Sequence, residues 1–107
     1  MIYLASPYSH PDESVRQARF EAACRAAADL VRQGLVVFSP IAHSHPIAVQ
    51  GHLPVDWDFW QGECEPFVRV CESVLVLQLE GWEDSRGVQA EIALAKELGK
   101  CVEFIKP

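Results

Sequence analysis

Apolar residues recur along this chain in two alternating rhythms. Short, nearly continuous apolar runs, Met1 to Ala5, Leu35 to Phe38, Ser73 to Leu79 and Cys101 to Ile105, predict buried strands, because a strand covered on both faces has no polar side to show. Longer segments between them carry a helical period. From about Pro11 to Gln33, Val15, Ala18, Ala22, Ala26 and Leu30 mark one face, Asp12 or Ser14 supplies a cap, and Gly34 ends the helix. Asp56 to about Val70 predicts a second helix, made irregular by Gly62 and Pro66, and Ser85 to about Leu98 a third. Pro40 to about Pro54, rich in His, Pro and Ser, predicts a loop too long to be a plain connector, and such loops are often functional.

Strands alternating with helical segments imply a parallel sheet covered on both faces, an α/β fold of the three-layer Rossmann-like type. Right-handed crossovers give strand order 2-1-3-4, with a switch point between the first and third strands. Ligands bind outside the carboxyl ends of the strands at such a point. The two stretches there, Tyr3 to Tyr8 and Leu79 to Glu91, are expected to form opposite walls of one crevice.

One residue breaks the apolar pattern. At roughly 100° per residue, Glu91 falls between Val88 and Leu98 and close to Ala95, in the sector that also holds Ile92 and Leu94. Lys96, Glu97 and Lys100 already supply the solvated side. Glu91 is therefore either a half-exposed acid whose methylenes cover apolar surface or a catalytic carboxylate. Just before it, Ser85 is a good helix N-cap, and a free helix N-terminus attracts anions, so one residue can serve as cap and as phosphate ligand. Gly87 in the first turn removes a side chain that would block close approach of a ligand.

Composition narrows the partners. The chain has 107 residues, half of them hydrophobic, which suits a single domain with one core, small enough to gain from oligomerisation. A net charge of −6 argues against a nucleic acid polymer or an anionic membrane as partner, and leaves a small molecule. No run reaches the ~18 apolar residues of a membrane span, and no basic segment precedes the first strand, so a cytoplasmic location is expected. The four cysteines, Cys24, Cys64, Cys71 and Cys101, form no Cys-x-x-Cys pair and read as small buried or half-buried hydrophobes. His43, His45 and His52 with Cys64 or Cys71 offer a metal site, but their spacing matches no zinc template, and neither metal nor cofactor is expected.

Tyr3-Leu4-Ala5-Ser6-Pro7-Tyr8, and a strand followed by Gly81-Trp82-Glu83-Asp84-Ser85-Arg86-Gly87-Val88-Gln89-Ala90-Glu91-Ile92, resemble the nucleoside 2-deoxyribosyltransferase superfamily. Including Phe38-Ser39-Pro40-Ile41-Ala42-His43-Ser44-His45-Pro46-Ile47, the chain is most similar to a small bacterial and phage branch described as a domain of unknown function. The Ser-x-Gly-x-x-x-Glu spacing is the most specific part.

The resemblance implies cleavage of the N-glycosidic bond of a 2-deoxynucleoside or its 5′-monophosphate, by hydrolysis or base transfer. Glu91 would attack the anomeric carbon to give a glycosyl ester, and Tyr3 would orient it. Asp58 or Asp56 would protonate the departing base beside Trp57 and Trp60, which bound a base pocket; capping the helix start is the competing role of those acids. Ser6, Pro7 and Tyr8 would border the sugar, with Ser6 standing where many members carry glycine. Asp84, Ser85, Arg86 and Gly87 would meet the 5′ end. His43 and His45 either bind phosphate, order their loop or substitute as the acid. Relatives complete the site from a second subunit, so a homodimer or larger homo-oligomer is implied. A nucleotide-binding module without chemistry, and a metal-binding protein using the His43 and His45 loop, are the alternatives.

Overall fold

The computed structural model of the chain covers residues 1–107. Its elements run β1 (Ile2–Ala5), α1 (Glu13–Arg32), β2 (Val37–Phe38), α2 (Pro40–Gly51), α3 (Trp57–Val70), β3 (Ser73–Leu77), a 3₁₀ turn (Trp82–Asp84), α4 (Arg86–Glu97) and β4 (Cys101–Ile105). The four strands are all parallel, in the order β2-β1-β3-β4. This is the expected α/β architecture with its switch point between β1 and β3.

Strand alternation sorts the core into two faces. Tyr3 and Ala5 of β1 and Val74 and Val76 of β3 point to one side, where they pack with Val68 of α3 and Val88, Ile92 and Ala95 of α4. Leu4 and Leu77 point to the other and meet Leu30 of α1. The α1 stripe keeps the expected Ala26 and Leu30 but not Ala18. Ala23 and Leu30 are its buried residues and Ala18 is exposed, so the helix is rotated to seat Ala23, Ala26, Ala27 and Leu30. Asp12 is the cap, accepting from the Ser14 N–H at 2.8 Å.

The segment from Pro40 is a helix and not the loop its composition suggested. Ser39 caps it by accepting the Ala42 N–H at 3.2 Å, and Pro40 sits in the first turn, where no N–H is needed. Pro46 removes one interior hydrogen bond, yet buried Ser44, His45 and Ala48 hold the face that packs on the rest of the molecule. His52 closes the helix in the left-handed region at φ 53°. Tertiary packing has overridden local propensity here. The α3 helix likewise runs through Gly62 and Pro66.

Lys100 ties the two ends of this layer together. Its Nζ donates to the carbonyls of Val68 (2.9 Å), Arg69 and Cys71, which α3 leaves free at its carboxyl end. Replacing it with a neutral stem, Lys100→Met, is expected to lower stability by about 1–3 kcal/mol. Urea unfolding measures this directly, and an unchanged midpoint would mean that water serves those carbonyls equally well.

Candidate active site

A cavity of about 430 Å³ opens at the carboxyl edge of the sheet. That size lies within the ~300–1,000 Å³ typical of small-molecule sites. Its walls come from both sides of the switch point: Ser6, Tyr8 and Ser9 follow β1, and Gly81, Asp84, Ser85, Arg86 and Gly87 follow β3. Pro40, Ile41 and Ser44 of α2 and Trp57, Trp60 and Cys64 of α3 close it from the side. The two segments expected to face each other do so.

Glu91 forms part of the wall and is only 5 % exposed. The 3.6-residue period of α4 turns it inward beside Val88, Ile92 and Ala95, one turn beyond Gly87. Tyr3, on the same face of the sheet and fully buried, donates its phenolic hydrogen to Glu91 Oε2. Burial pushes the Glu91 carboxyl up to about 8, with the Tyr3 hydrogen bond pulling the other way. Burial, and then the charge of Glu91, raises the Tyr3 hydroxyl well above its ordinary value, so it remains a donor. Cys64 stands beside this pair; burial, followed by the Glu91 charge, pushes its thiol up to about 12 and keeps it neutral.

Ser85 caps α4, accepting the Val88 N–H at 3.3 Å, and lines the cavity at the same time. The N–H groups of Arg86 and Gly87 precede that of Gln89, the first to find a helical acceptor, the Ser85 carbonyl at 3.0 Å, and are free. At Gly87 the close approach expected of a ligand is made by Trp57, whose Cε3 would stand 3.2 Å from an added Cβ. Trp60 is nearly buried and donates its indole N–H to the Pro54 carbonyl at 2.8 Å.

Other expected site residues are placed elsewhere. Asp58 pairs with Arg86 on the surface, at 2.7 Å, and does not line the cavity. Asp56 lines it, but its carboxylate accepts the Phe59 N–H at 3.2 Å as the α3 cap. Pro7 is fully buried beneath the wall. His43 faces Glu63 at 3.3 Å. His45 is buried, its Nδ1 accepting from the Tyr8 hydroxyl at 2.6 Å and its Nε2 donating to Gln17 Oε1 at 2.8 Å. Burial and the nearby Arg16 draw His45 below its ordinary value, against a weaker pull from Glu13, which keeps it neutral. The two histidines thus do not converge, and no three His, Cys, Asp or Glu side chains gather as a metal site would need. Among the cysteines, Cys101 is exposed, not half-buried as its place in the pattern suggested.

Sequence reasoning missed Arg19, and offered Cys64 only as a small hydrophobe or a metal ligand. Arg19 lies in the cavity wall, its Nη1 donating to the Ser9 carbonyl at 2.9 Å and its Nη2 to the Glu80 carbonyl at 3.3 Å. Gly81, at φ +89°, gives it room, since a Cβ there would lie 2.9 Å from Arg19 Nη2. Only tertiary structure distinguishes Arg19 from the other charged residues of α1; a cysteine among hydrophobes carries no signal at all.

The parallel sheet, its switch-point cavity and the inward carboxylate define a Rossmann-like domain with a ligand-sized site. The chain belongs to the family described as a domain of unknown function, DUF1937, whose model matches residues 1–106. No curated protein matches it.

The electrostatics of Glu91 carry a consequence for stability. Its proton is held by the folded state between the ordinary carboxyl value of 4.5 and about 8, whereas the unfolded chain has released it. Stability is therefore expected to fall as pH rises through that window and to level off above it. Glu91→Gln keeps an acceptor for Tyr3 and removes the titration. Its advantage in unfolding free energy over the native protein, read from urea denaturation at a series of pH values, is expected to grow across the window, up to about 5 kcal/mol at the alkaline end. A difference that stays flat with pH would show that Glu91 is not desolvated in solution.

Proposed function

We propose that this protein cleaves the N-glycosidic bond of a 2-deoxynucleoside 5′-monophosphate or a related nucleoside, with Glu91 as nucleophile. The observation that carries this reading is the buried carboxylate held by the Tyr3 hydroxyl in the wall of a cavity that the amino-terminal turn of α4 also lines. Similarity of the Ser85-to-Glu91 motif and the Tyr3 segment to the nucleoside 2-deoxyribosyltransferases supports it.

In this chemistry the ionised Glu91 attacks the anomeric carbon as the bond to the base breaks, and the base departs with the electron pair. A carboxylate fixed in a low-dielectric wall stabilises the positive charge that builds on the sugar. The resulting ester is released to water or to a second base. Tyr3 holds the reacting carboxylate by one oxygen. Trp57 and Trp60 offer aromatic surface to the base, and Ser85 with the free N–H groups of α4 offers donors to the 5′ group. The base is protonated by an acid other than Asp58 if that residue stays paired with Arg86; Asp56 and solvent are the candidates near the cavity.

A nucleotide-binding module without turnover is the second reading. It draws on the same elevated value of Glu91, which leaves the carboxyl protonated and non-nucleophilic at neutral pH. Incubating the protein with nucleosides and their 5′-monophosphates, and assaying free base, separates the two. Release that is absent in Glu91→Gln supports the enzyme, and tight binding without release in the native protein supports the module.

For the enzyme, the raised value of Glu91 sets the pH profile. Because the group must be ionised to attack, kcat/KM is expected to rise with pH and reach a plateau above about 8. A profile that falls over the same range would remove Glu91 from the nucleophile role.

The 5′ end supplies a further expectation. A 5′-monophosphate is expected to be preferred over its nucleoside. Ser85→Ala is expected to raise KM for the monophosphate more than for the nucleoside, through the loss of an interaction of roughly 1.5–3 kcal/mol. Equal effects on both substrates would reduce Ser85 to a helix cap.

A further inference from the structure

We infer that Arg19 is the counter-ion for the anionic group of the ligand, with the hydroxyl of Ser6 as a neighbouring donor, an assignment that rests on a phosphate-bearing substrate occupying the cavity. Arg19 projects from α1 into the cavity wall, and no carboxylate forms an ion pair with it, Glu80 acting on it only at longer range. What sets it apart from the other unpaired cations is its place in the cavity wall. Two backbone carbonyls, those of Ser9 and Glu80, accept one hydrogen each and fix the guanidinium in place. Three of its five N–H groups remain to bind something else.

Ser6 is an independent sign of a missing partner. It lines the same cavity, is 5 % exposed, and its Oγ is the one buried side-chain polar atom without a hydrogen-bond partner. An orphaned hydroxyl costs free energy unless a ligand completes it. The free N–H groups of Arg86 and Gly87 at the start of α4 add donors of the same sign. An anion is the ligand that such a set of donors accommodates, and a phosphate, with three acceptor oxygens, suits a planar fork and a hydroxyl together.

The competing role for Arg19 is purely architectural. By bonding the carbonyls of Ser9 and Glu80 it links the two crevice walls, and its loss would then disturb every ligand alike.

Calorimetric titration in the Glu91→Gln background, where turnover is blocked, separates these roles. The probes are inorganic phosphate, a 2-deoxynucleoside 5′-monophosphate and the parent nucleoside. Arg19→Gln is expected to weaken phosphate and monophosphate by about tenfold or more while leaving the nucleoside unchanged. Equal weakening of the nucleoside, or phosphate affinity equal to that of the parent, overturns the assignment. A second measurement on the unmutated chain avoids dependence on the variant's folding. Phosphate is expected to slow phenylglyoxal modification of Arg19 while leaving Arg25 unaffected, and the absence of such protection also overturns it. These titrations read binding, not chemistry. An anion that depends on Arg19 without any base release would leave the assignment standing and remove the glycosidic reading; base release without a role for Arg19 would do the reverse.

Discussion

The hydrogen bond between Tyr3 and Glu91 is the constraint around which the site is arranged. It joins the first strand to the last helix across 88 positions of sequence, inside the core between the sheet and α4. A carboxyl in that position has lost its water, and one phenol cannot replace all of it. The cavity at its other side is what makes the arrangement tolerable, because the group borders a space that a polar ligand can enter. Neither partner is free to move: Tyr3 is locked in the central strand, and Glu91 is held by the buried neighbours Val88, Ile92 and Ala95. A desolvated carboxylate kept in place by the surrounding fold at the edge of a cavity is characteristic of functional sites.

The remainder of the cavity follows from topology. Reversal of strand order between β1 and β3 opens a gap at their carboxyl ends, and the connections leaving those ends line it. Two devices then shape the gap. Gly81 adopts a left-handed backbone that clears space for the Arg19 guanidinium, and Gly87 lets the Trp57 ring rest against the first turn of α4. The same helix start thereby receives an aromatic wall on one side and uncommitted donors on the other. Its surface edge is bridged to α3 by the exposed Arg86–Asp58 pair, an interaction worth little energetically.

Much of this was legible from residue order because it depends on period. The strand runs, the order of the sheet and the inward turn of Glu91 all follow from local pattern plus the handedness of crossovers. What failed depends on packing. Proline and histidine in residues 40–51 argue locally for a loop, and only Ser39 as cap together with the buried face of Ser44, His45 and Ala48 makes the segment helical. The inward face of α1 was right at Ala26 and Leu30 and wrong at Ala18, since an alanine-rich helix offers several nearly equivalent stripes and the sheet selects one. Asp58 looked like an acid near the base pocket, yet a rotation of one helical step separates it from the cavity that Trp57 and Trp60 border. Arg19 had no signal because a charge on a long helix is expected to be solvated.

The central position of β1 has a consequence for how the chain acquires its structure. The strand made first is the one that needs neighbours on both sides, and one of them, β3, begins only at Ser73. Until that segment has emerged from the ribosome, Tyr3 has one of its two sheet partners and Leu4 has none, and the carboxylate that completes Tyr3 comes later still. Contacts this distant in sequence carry a large loop-closure entropy and form slowly. The candidate site therefore needs β1, β3 and α4 together, so that nascent chains truncated before α4 would expose the apolar face of their first strand.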